Sequence, residues 1–133
     1  MSSIAAGESA AQHPRPRGGH SFRLGVEQDG TTLYLRLAGV FDWACVGRVE
    51  AELERTAERP TRRIVFDLQG LNFLDIAGVR TLLRANERAR TAHFDVIVVR
   101  PTGLVNRIFT LTSAGEELTM VDRVPAGDRA DYL

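Results

Sequence analysis

The chain has 133 residues, which suits one domain of ordinary size. Its 17 basic and 17 acidic side chains cancel, which argues against a protein that binds nucleic acid through a broad positive surface. The basic residues are all Arg, which excludes a P-loop lysine and a Schiff-base lysine, and the single Cys45 excludes an internal disulfide and a multi-cysteine zinc site.

Residues 1–20 are rich in Ala, Ser, Gly, Pro and Arg, and this composition predicts a disordered tail. His13 and His20 lie there without neighbours that could complete a metal site, so we expect no metal and no cofactor. The N-terminus lacks the apolar core of a signal peptide, and no apolar run approaches the roughly 20 residues of a membrane span. We therefore expect a cytoplasmic protein.

Two segments alternate apolar and polar residues, as half-buried strands do: residues 22–26 and 33–37. Asp29 and Gly30 between them form a strong turn signal, which predicts an antiparallel hairpin. After Gly39 breaks the alternation, Asp42 is a candidate N-cap for a first helix that ends at Arg59. Its inner face is expected to carry Val46, Val49, Leu53 and Ala57.

A second unit follows, from residue 62 to residue 89. Residues 64–66 predict a buried strand, residues 68–74 a tight loop bent at Gly70, and Asp75 the N-cap of a second helix. The expected inner face of that helix is Val79, Leu82, Leu83, Asn86 and Ala89. Its opposite side carries Arg80, Arg84 and Arg88, which form either a solvated row or a surface for an acidic partner.

The last part of the domain predicts a strand over residues 94–99 and a third helix capped by Thr102. The inner face of this helix is expected to hold Leu104, Val105, Ile108 and Phe109. Residues 118–121 form a short strand or turn, and residues 125–133 a loose tail. The whole order predicts an α/β domain over residues 21–124: an N-terminal hairpin, then alternating helices and strands, with a mixed sheet covered mainly on one face.

Two motifs in this order resemble the signature of the STAS domain family, which includes the bacterial anti-sigma factor antagonists. Residues 67–82, DLQGLNFLDIAGVRTL, follow its pattern Asp-Leu, Leu-x-Phe-(apolar)-Asp and Gly-(apolar), except at the Ser that normally follows the second Asp. Residues 37–42, LAGVFD, follow its Leu-x-Gly-x-(apolar)-Asp element. The resemblance implies the STAS fold. It also implies a non-catalytic module that binds an anti-sigma factor of the kinase-like ATPase family and so releases a sigma factor.

The same resemblance places a phosphorylated Ser or Thr directly after the helix-capping Asp. Here that position is Ile76, followed by Ala77, and neither side chain has a hydroxyl group. The phosphorylation switch of the family is therefore expected to be missing at this position.

The expected docking surface combines the loop after the second strand with the start of the second helix. Its candidate partner-binding residues are Gly39, Asp42, Trp43, Asn72, Asp75, Ile76, Ala77, Gly78, Arg80 and Arg84. Two of them have alternatives that the sequence leaves open. Trp43 is either a wedge at the edge of the core or a partly exposed anchor, and Ile76 is either exposed or packed onto its own domain. The oligomeric state also stays open, with a weak homodimer as one option.

The sequence supports other functions less strongly. Asp42, Asp67 and Asp75 could together bind Mg²⁺ in a receiver-like phospho-acceptor site, but the lysine and the acidic pair of such a site are missing. We favour caps for Asp42 and Asp75 and a local loop bond for Asp67. His93 has no predicted Ser or Cys partner, so we expect no enzyme. The remaining alternatives are a STAS scaffold subunit of a transport or stress-signalling assembly and a STAS domain that senses a nucleotide or anion.

Overall fold

Alternating apolar residues form the N-terminal hairpin, as the sequence predicts. The computed structural model describes residues 21–125, so the predicted tails, with His13 and His20, lie outside the described residues apart from Pro125. Strand β1 (Arg23–Asp29) pairs antiparallel with strand β2 (Thr32–Phe41). The inward side chains of β2 are buried because every second residue faces the core: Leu33, Leu35 and Leu37.

Three further strands extend the sheet: β3 (Arg63–Leu74), β4 (Asp95–Val99) and β5 (Thr119–Val121). The spatial order follows the chain, β1-β2-β3-β4-β5, and each pair from β2 onward is parallel. This arrangement confirms the predicted mixed sheet. Because the strands are parallel, the segments that follow β2, β3 and β4 all leave from the same edge of the sheet.

The tight loop predicted over residues 68–74 is wrong, because β3 runs through this region without a break. The register between β2 and β3 shifts twice, between Arg36 and Ala38 and between Gly39 and Val40. These irregularities interrupt the alternation of apolar residues, which made the segment resemble a loop. Gly70 is therefore not a bend: a Cβ there would lie 2.9 Å from the Cβ of Ala38, so glycine permits close approach of the two strands.

In the described part of the chain, four α-helices connect the strands: α1 (Val46–Glu54), α2 (Ile76–Ala92), α3 (Arg107–Leu111) and α4 (Ala114–Glu117). The first predicted helix exists, but tighter 3-10 turns flank α1, Trp43–Cys45 before it and Arg55–Glu58 after it. Ala57 in the second turn is exposed, so its predicted place on the inner face is wrong. In a 3-10 turn the residues advance by a third of a turn each, which rotates Ala57 out of the α-helical face.

The main core lies between one face of the sheet and the helices. All buried apolar side chains of the described helices belong to this cluster, including Val49 of α1, Leu82 of α2 and Phe109 of α3. The other face of the sheet carries a smaller cluster built from strand residues alone, with Tyr34, Val65 and Val99 at its centre. This division confirms the prediction that helices cover mainly one face.

On α2, Val79, Leu82 and Ala89 are buried as predicted, whereas Leu83 and Asn86 are only partly buried and Ala85 completes the inner face. Ala85, Gly78 and Thr81 are buried although they were not in the predicted inner face, so that face is turned toward them relative to the prediction. No helix among residues 21–125 has both the length and the apolar character required to cross a membrane.

The third predicted helix starts later than expected. Thr102 makes no side-chain capping bond, and Leu104 is 78% exposed, so both predictions are wrong. The chain first forms a 3-10 turn over Gly103–Asn106, whose geometry directs Leu104 away from the core. Phe109 is buried as predicted, and Val105 and Ile108 pack partly against the core.

Candidate functional site

The candidate site lies where β2 and β3 end side by side. Val40 pairs with Phe73 and Phe41 with Leu74, so the two strands stop at the same level. Beyond them, the chain enters the 3-10 turn at Trp43 and helix α2 at Ile76. We call the surface made by the ends of the two strands and by these two segments the docking edge.

The carboxylate of Asp75 holds the two segments of the docking edge together. Its Oδ1 accepts a hydrogen bond from the backbone N–H of Gly78 at 3.0 Å, which caps α2. Its Oδ2 accepts from the backbone N–H of Trp43 at 3.3 Å, on the other segment. The backbone N–H of Asp75 in turn donates to the carbonyl of Phe41 at 3.3 Å. One residue therefore sets the position of both helical starts.

Asp42 plays the matching role on the first segment. Its Oδ1 accepts from the backbone N–H of Ala44 at 3.1 Å and lies 3.6 Å from Sγ of Cys45. The predicted capping roles of Asp42 and Asp75 are confirmed by these bonds. Asp67 accepts from the backbone N–H of Gln69 at 3.0 Å, which confirms its predicted local bond.

Three large apolar side chains stand out from the docking edge. Trp43 is 52% exposed, Phe73 48% and Ile76 46%. We call these three residues the apolar tip. Trp43 is therefore a partly exposed side chain and not one wedged into the core, and Ile76 does not pack down onto its own domain.

Two buried glycines permit close packing beneath the docking edge. Gly39 has φ +83°, and a Cβ there would lie 1.8 Å from the carbonyl oxygen of Ser21. At Gly78, a Cβ would lie 2.5 Å from Cδ1 of Leu74 and 3.0 Å from Cδ2 of Phe41. Both glycines are buried, so they shape the surface from beneath and present no side chain to a partner.

A family model described as "Mlab, STAS domain" matches residues 24–122, which is most of the chain and contains the whole docking edge. The chain belongs to the STAS domain family. The resemblance seen in the sequence is thereby confirmed, and the described strands and helices of this STAS domain fall within the matched residues or at their margins. No curated protein matches the chain.

Solved structures with the same fold include three that bear on this STAS domain. The anti-sigma factor antagonist SpoIIAA in its unphosphorylated form is 19% identical, with a TM-score of 0.64 over 84% of this chain and 93% of that one. An anti-sigma factor antagonist from Mycobacterium paratuberculosis is 20% identical, with a TM-score of 0.65 over 86% and 95%. The Bacillus protein SpoIIAA in its phosphorylated form is 18% identical, with a TM-score of 0.59 over 84% and 96%. At these identities the likeness shows the fold.

The other candidate residues of the STAS domain surround the apolar tip. Asn72 is exposed, and Ala77 is partly buried in the first turn of α2. Arg80 is exposed one turn further along α2, and its guanidinium has no hydrogen-bond or ion-pair partner among residues 21–125. These three residues can therefore contact a partner that covers the tip.

Arg84 differs from Arg80 because it already has a partner. Its guanidinium lies 3.0 Å from Oε2 of Glu50, which is on α1, and its Nε donates to the same oxygen at 3.3 Å. The two side chains are 55% and 35% exposed. Arg84 thus links the two helices behind the docking edge, so the row of arginines on α2 is not a uniform free surface.

Sequence reasoning missed Phe73 and Leu104 as candidate contact residues. Leu104 lies in the segment after β4, which leaves from the same edge of the sheet, and its 3-10 turn contacts β3. The signal for Phe73 was the odd placement of a large apolar residue directly before Leu74 in a strand, where only one of two neighbours can face the core. No comparable signal marked Leu104, because its sequence context suits an ordinary amphipathic helix.

The titratable groups near the docking edge include one free thiol, Cys45. Burial raises the pKa of the Cys45 thiol above its ordinary value, so the thiol stays protonated and weakly nucleophilic at neutral pH. Within the described chain, no group of three or more His, Cys, Asp or Glu side chains is close enough to hold a metal ion. What the edge offers is a rigid backbone, two capped helical starts and an apolar tip.

Proposed function

We propose that this STAS domain acts as a non-catalytic protein-binding module and that the docking edge is its contact surface. The observation that carries the proposal is the apolar tip of Trp43, Phe73 and Ile76, exposed on a segment that Asp75 holds in place. Aromatic side chains contribute most at protein interfaces, and a rigid surface loses little conformational entropy on binding. An apolar centre with a polar rim of Asn72 and Arg80 has the composition of such an interface.

The proposed partner is an anti-sigma factor of the kinase-like ATPase family, whose capture would release a sigma factor. Membership of the STAS family and a fold shared with two anti-sigma factor antagonists support this choice. Arg80, which has no partner within the described residues, favours a partner surface with an acidic side chain opposite the start of α2. A scaffold role in a transport or stress-signalling assembly is the alternative if no such partner binds.

We further propose that binding does not depend on phosphorylation of the docking edge. The relative SpoIIAA is known in a phosphorylated form, whereas Ile76 and Ala77 have no hydroxyl group to accept a phosphate. A phosphate would add about −1.5 to −2 charges, which a surface centred on Ile76 and Trp43 would not tolerate in an apolar contact. Binding would therefore be constitutive, or controlled by concentration or by another signal.

The test is calorimetric titration of the full chain against purified kinase-like anti-sigma factors encoded near its gene. We expect one of them to bind, and we expect Ile76→Asp to reduce its affinity at least tenfold because a charge would be buried in the apolar contact. Val26→Asp is the matched control, since Val26 is 41% exposed but lies in the middle of the outer strand β1. The Val26→Asp variant should bind the anti-sigma factor with the same affinity as the natural chain.

The proposal is contradicted if both variants lose the same amount of affinity for the partner, or if Ile76→Asp leaves the affinity unchanged.

Phosphorylation is tested separately, by incubation of the chain with the active partner kinase and ATP, followed by intact-mass measurement. No phosphoprotein is expected from the natural chain, whereas Ile76→Ser should become phosphorylated if the kinase recognises this edge. A phosphorylated natural chain would place the switch at another Ser or Thr.

A further inference from the structure

A cleft of about 460 Å³ opens at the end of the molecule opposite the docking edge. It lies between the C-terminal ends of α1 and α2, beside the first residues of β3. Its volume falls within the range of ordinary small-molecule sites, roughly 300–1,000 Å³. Neither the family motif nor the proposed docking surface includes any residue of this cleft.

The floor of the cleft is apolar. Leu53, Ile64 and Ala85 contribute to it from the buried core, and Phe94 packs against the same core from the segment before β4. These residues come from four different elements, so the floor is fixed by the fold itself and not by one mobile loop. A floor of this kind favours a ligand with an extended hydrocarbon part.

Two polar groups in the cleft lack partners. The hydroxyl oxygen of Thr61 is buried and makes no hydrogen bond to any of residues 21–125, which is rare for a buried polar atom. The guanidinium of Arg88 has no ion-pair or hydrogen-bond partner within residues 21–125, although its neighbours on α2 do: Arg84 pairs with Glu50, and Arg90 pairs with Glu87. The cleft thus combines an apolar floor with a cation that has no partner among the described residues.

We propose that this cleft binds a small amphipathic carboxylate, such as a medium-chain fatty acid. The hydrocarbon chain would lie along the floor, and the carboxylate would pair with Arg88, whose planar fork matches two carboxylate oxygens. Glu54, an exposed carboxylate on the α1 wall, carries the same charge as the ligand and weakens its binding.

Two charged residues that line the cleft, Arg88 and Glu54, should have opposite effects on the binding of the carboxylate. Arg88→Gln removes the paired cation and should weaken binding about tenfold. Glu54→Gln removes the repelling charge and should tighten binding about two- to fivefold. Arg90→Gln is the matched control, since Arg90 already pairs with Glu87 and does not line the cleft.

The probe is decanoate, titrated into the full chain below its micelle-forming concentration and followed by backbone amide NMR shifts. The largest shifts are expected at Leu53, Ile64 and Phe94, and the affinity order should be decanoate, then 1-decanol, then decylamine. The proposal is overturned if the shifts fall at Trp43 and Ile76 instead, if decylamine binds as well as decanoate, or if Arg88→Gln and Arg90→Gln behave alike. Because the docking edge is tested separately through Ile76, failure of one proposal leaves the other intact.

Discussion

The side chain of Asp75 and the backbone of Trp43 are joined by a hydrogen bond of 3.3 Å, across 32 residues of sequence. The same carboxylate caps α2 through Gly78 at 3.0 Å. The start of α2 and the segment after β2 therefore share one acceptor group. This link places the backbone of Trp43 next to the start of α2, which begins at Ile76.

Removal of that shared acceptor should weaken the fold and the docking edge together. For Asp75→Ala we expect a loss of about 1–2 kcal/mol in the free energy of unfolding, measured by urea denaturation, because the helix cap and the bond to Trp43 are both lost. Hydrogen exchange at the amides of Gly78 and Trp43 should become faster. Asp122→Ala is the control, since the Asp122 side chain is 84% exposed and pairs only with Arg100 at the surface. If Asp122→Ala lowers the free energy of unfolding as much as Asp75→Ala, Asp75 has no special role in stability.

The glycines beneath the docking edge should differ in their tolerance of a methyl group. Gly78→Ala places a Cβ 2.5 Å from Leu74, so we expect a loss of about 1–3 kcal/mol, or a lower Tm by several degrees. Gly39→Ala should cost more, because its Cβ would overlap the Ser21 carbonyl and its φ is positive. Gly47→Ala is the counterpart in α1 with nothing within 4 Å, and it should stabilise by up to about 1 kcal/mol. Equal Tm values for the three variants would contradict this account.

The sequence predicted the parts of the docking edge that follow from local rules. Asp42 and Asp75 were predicted as caps, and α2 was predicted to begin directly after Asp75. These features depend on hydrogen bonds between residues close in sequence, so a local pattern of residue types predicts them well. Residues 68–74 escaped prediction because the strand is irregular there, and the register shifts depend on the neighbouring strand β2. The bond between Asp75 and Trp43 and the pair between Arg84 and Glu50 depend on tertiary contacts that no local pattern encodes.

The pair of Arg84 and Glu50 should contribute little to stability, although two guanidinium nitrogens donate to the same carboxylate oxygen. Both side chains are substantially exposed, so a double-mutant cycle with Glu50→Gln and Arg84→Gln should give a coupling of about 0.2–1 kcal/mol. The coupling should shrink further in 1 M salt, because the Debye length falls to about 3 Å. Urea denaturation of the four chains at low and high salt provides the measurement. A coupling well above 1 kcal/mol that resists salt would mean that water is excluded from this pair.

Burial of the Cys45 thiol should appear both in its reactivity and in the pH dependence of stability. Its folded-state pKa is raised, chiefly by loss of solvation, while the thiol of the unfolded chain ionises in the ordinary range. As the pH rises through that ordinary range, the unfolded chain loses its proton first, so the free energy of unfolding should fall there and be unaffected at lower pH. Iodoacetamide at pH 8 should alkylate the folded chain more slowly than the chain in urea. Cys45→Ala should remove this part of the pH dependence. If the free energy of unfolding of the variant still falls as steeply with pH, another titratable group causes the fall.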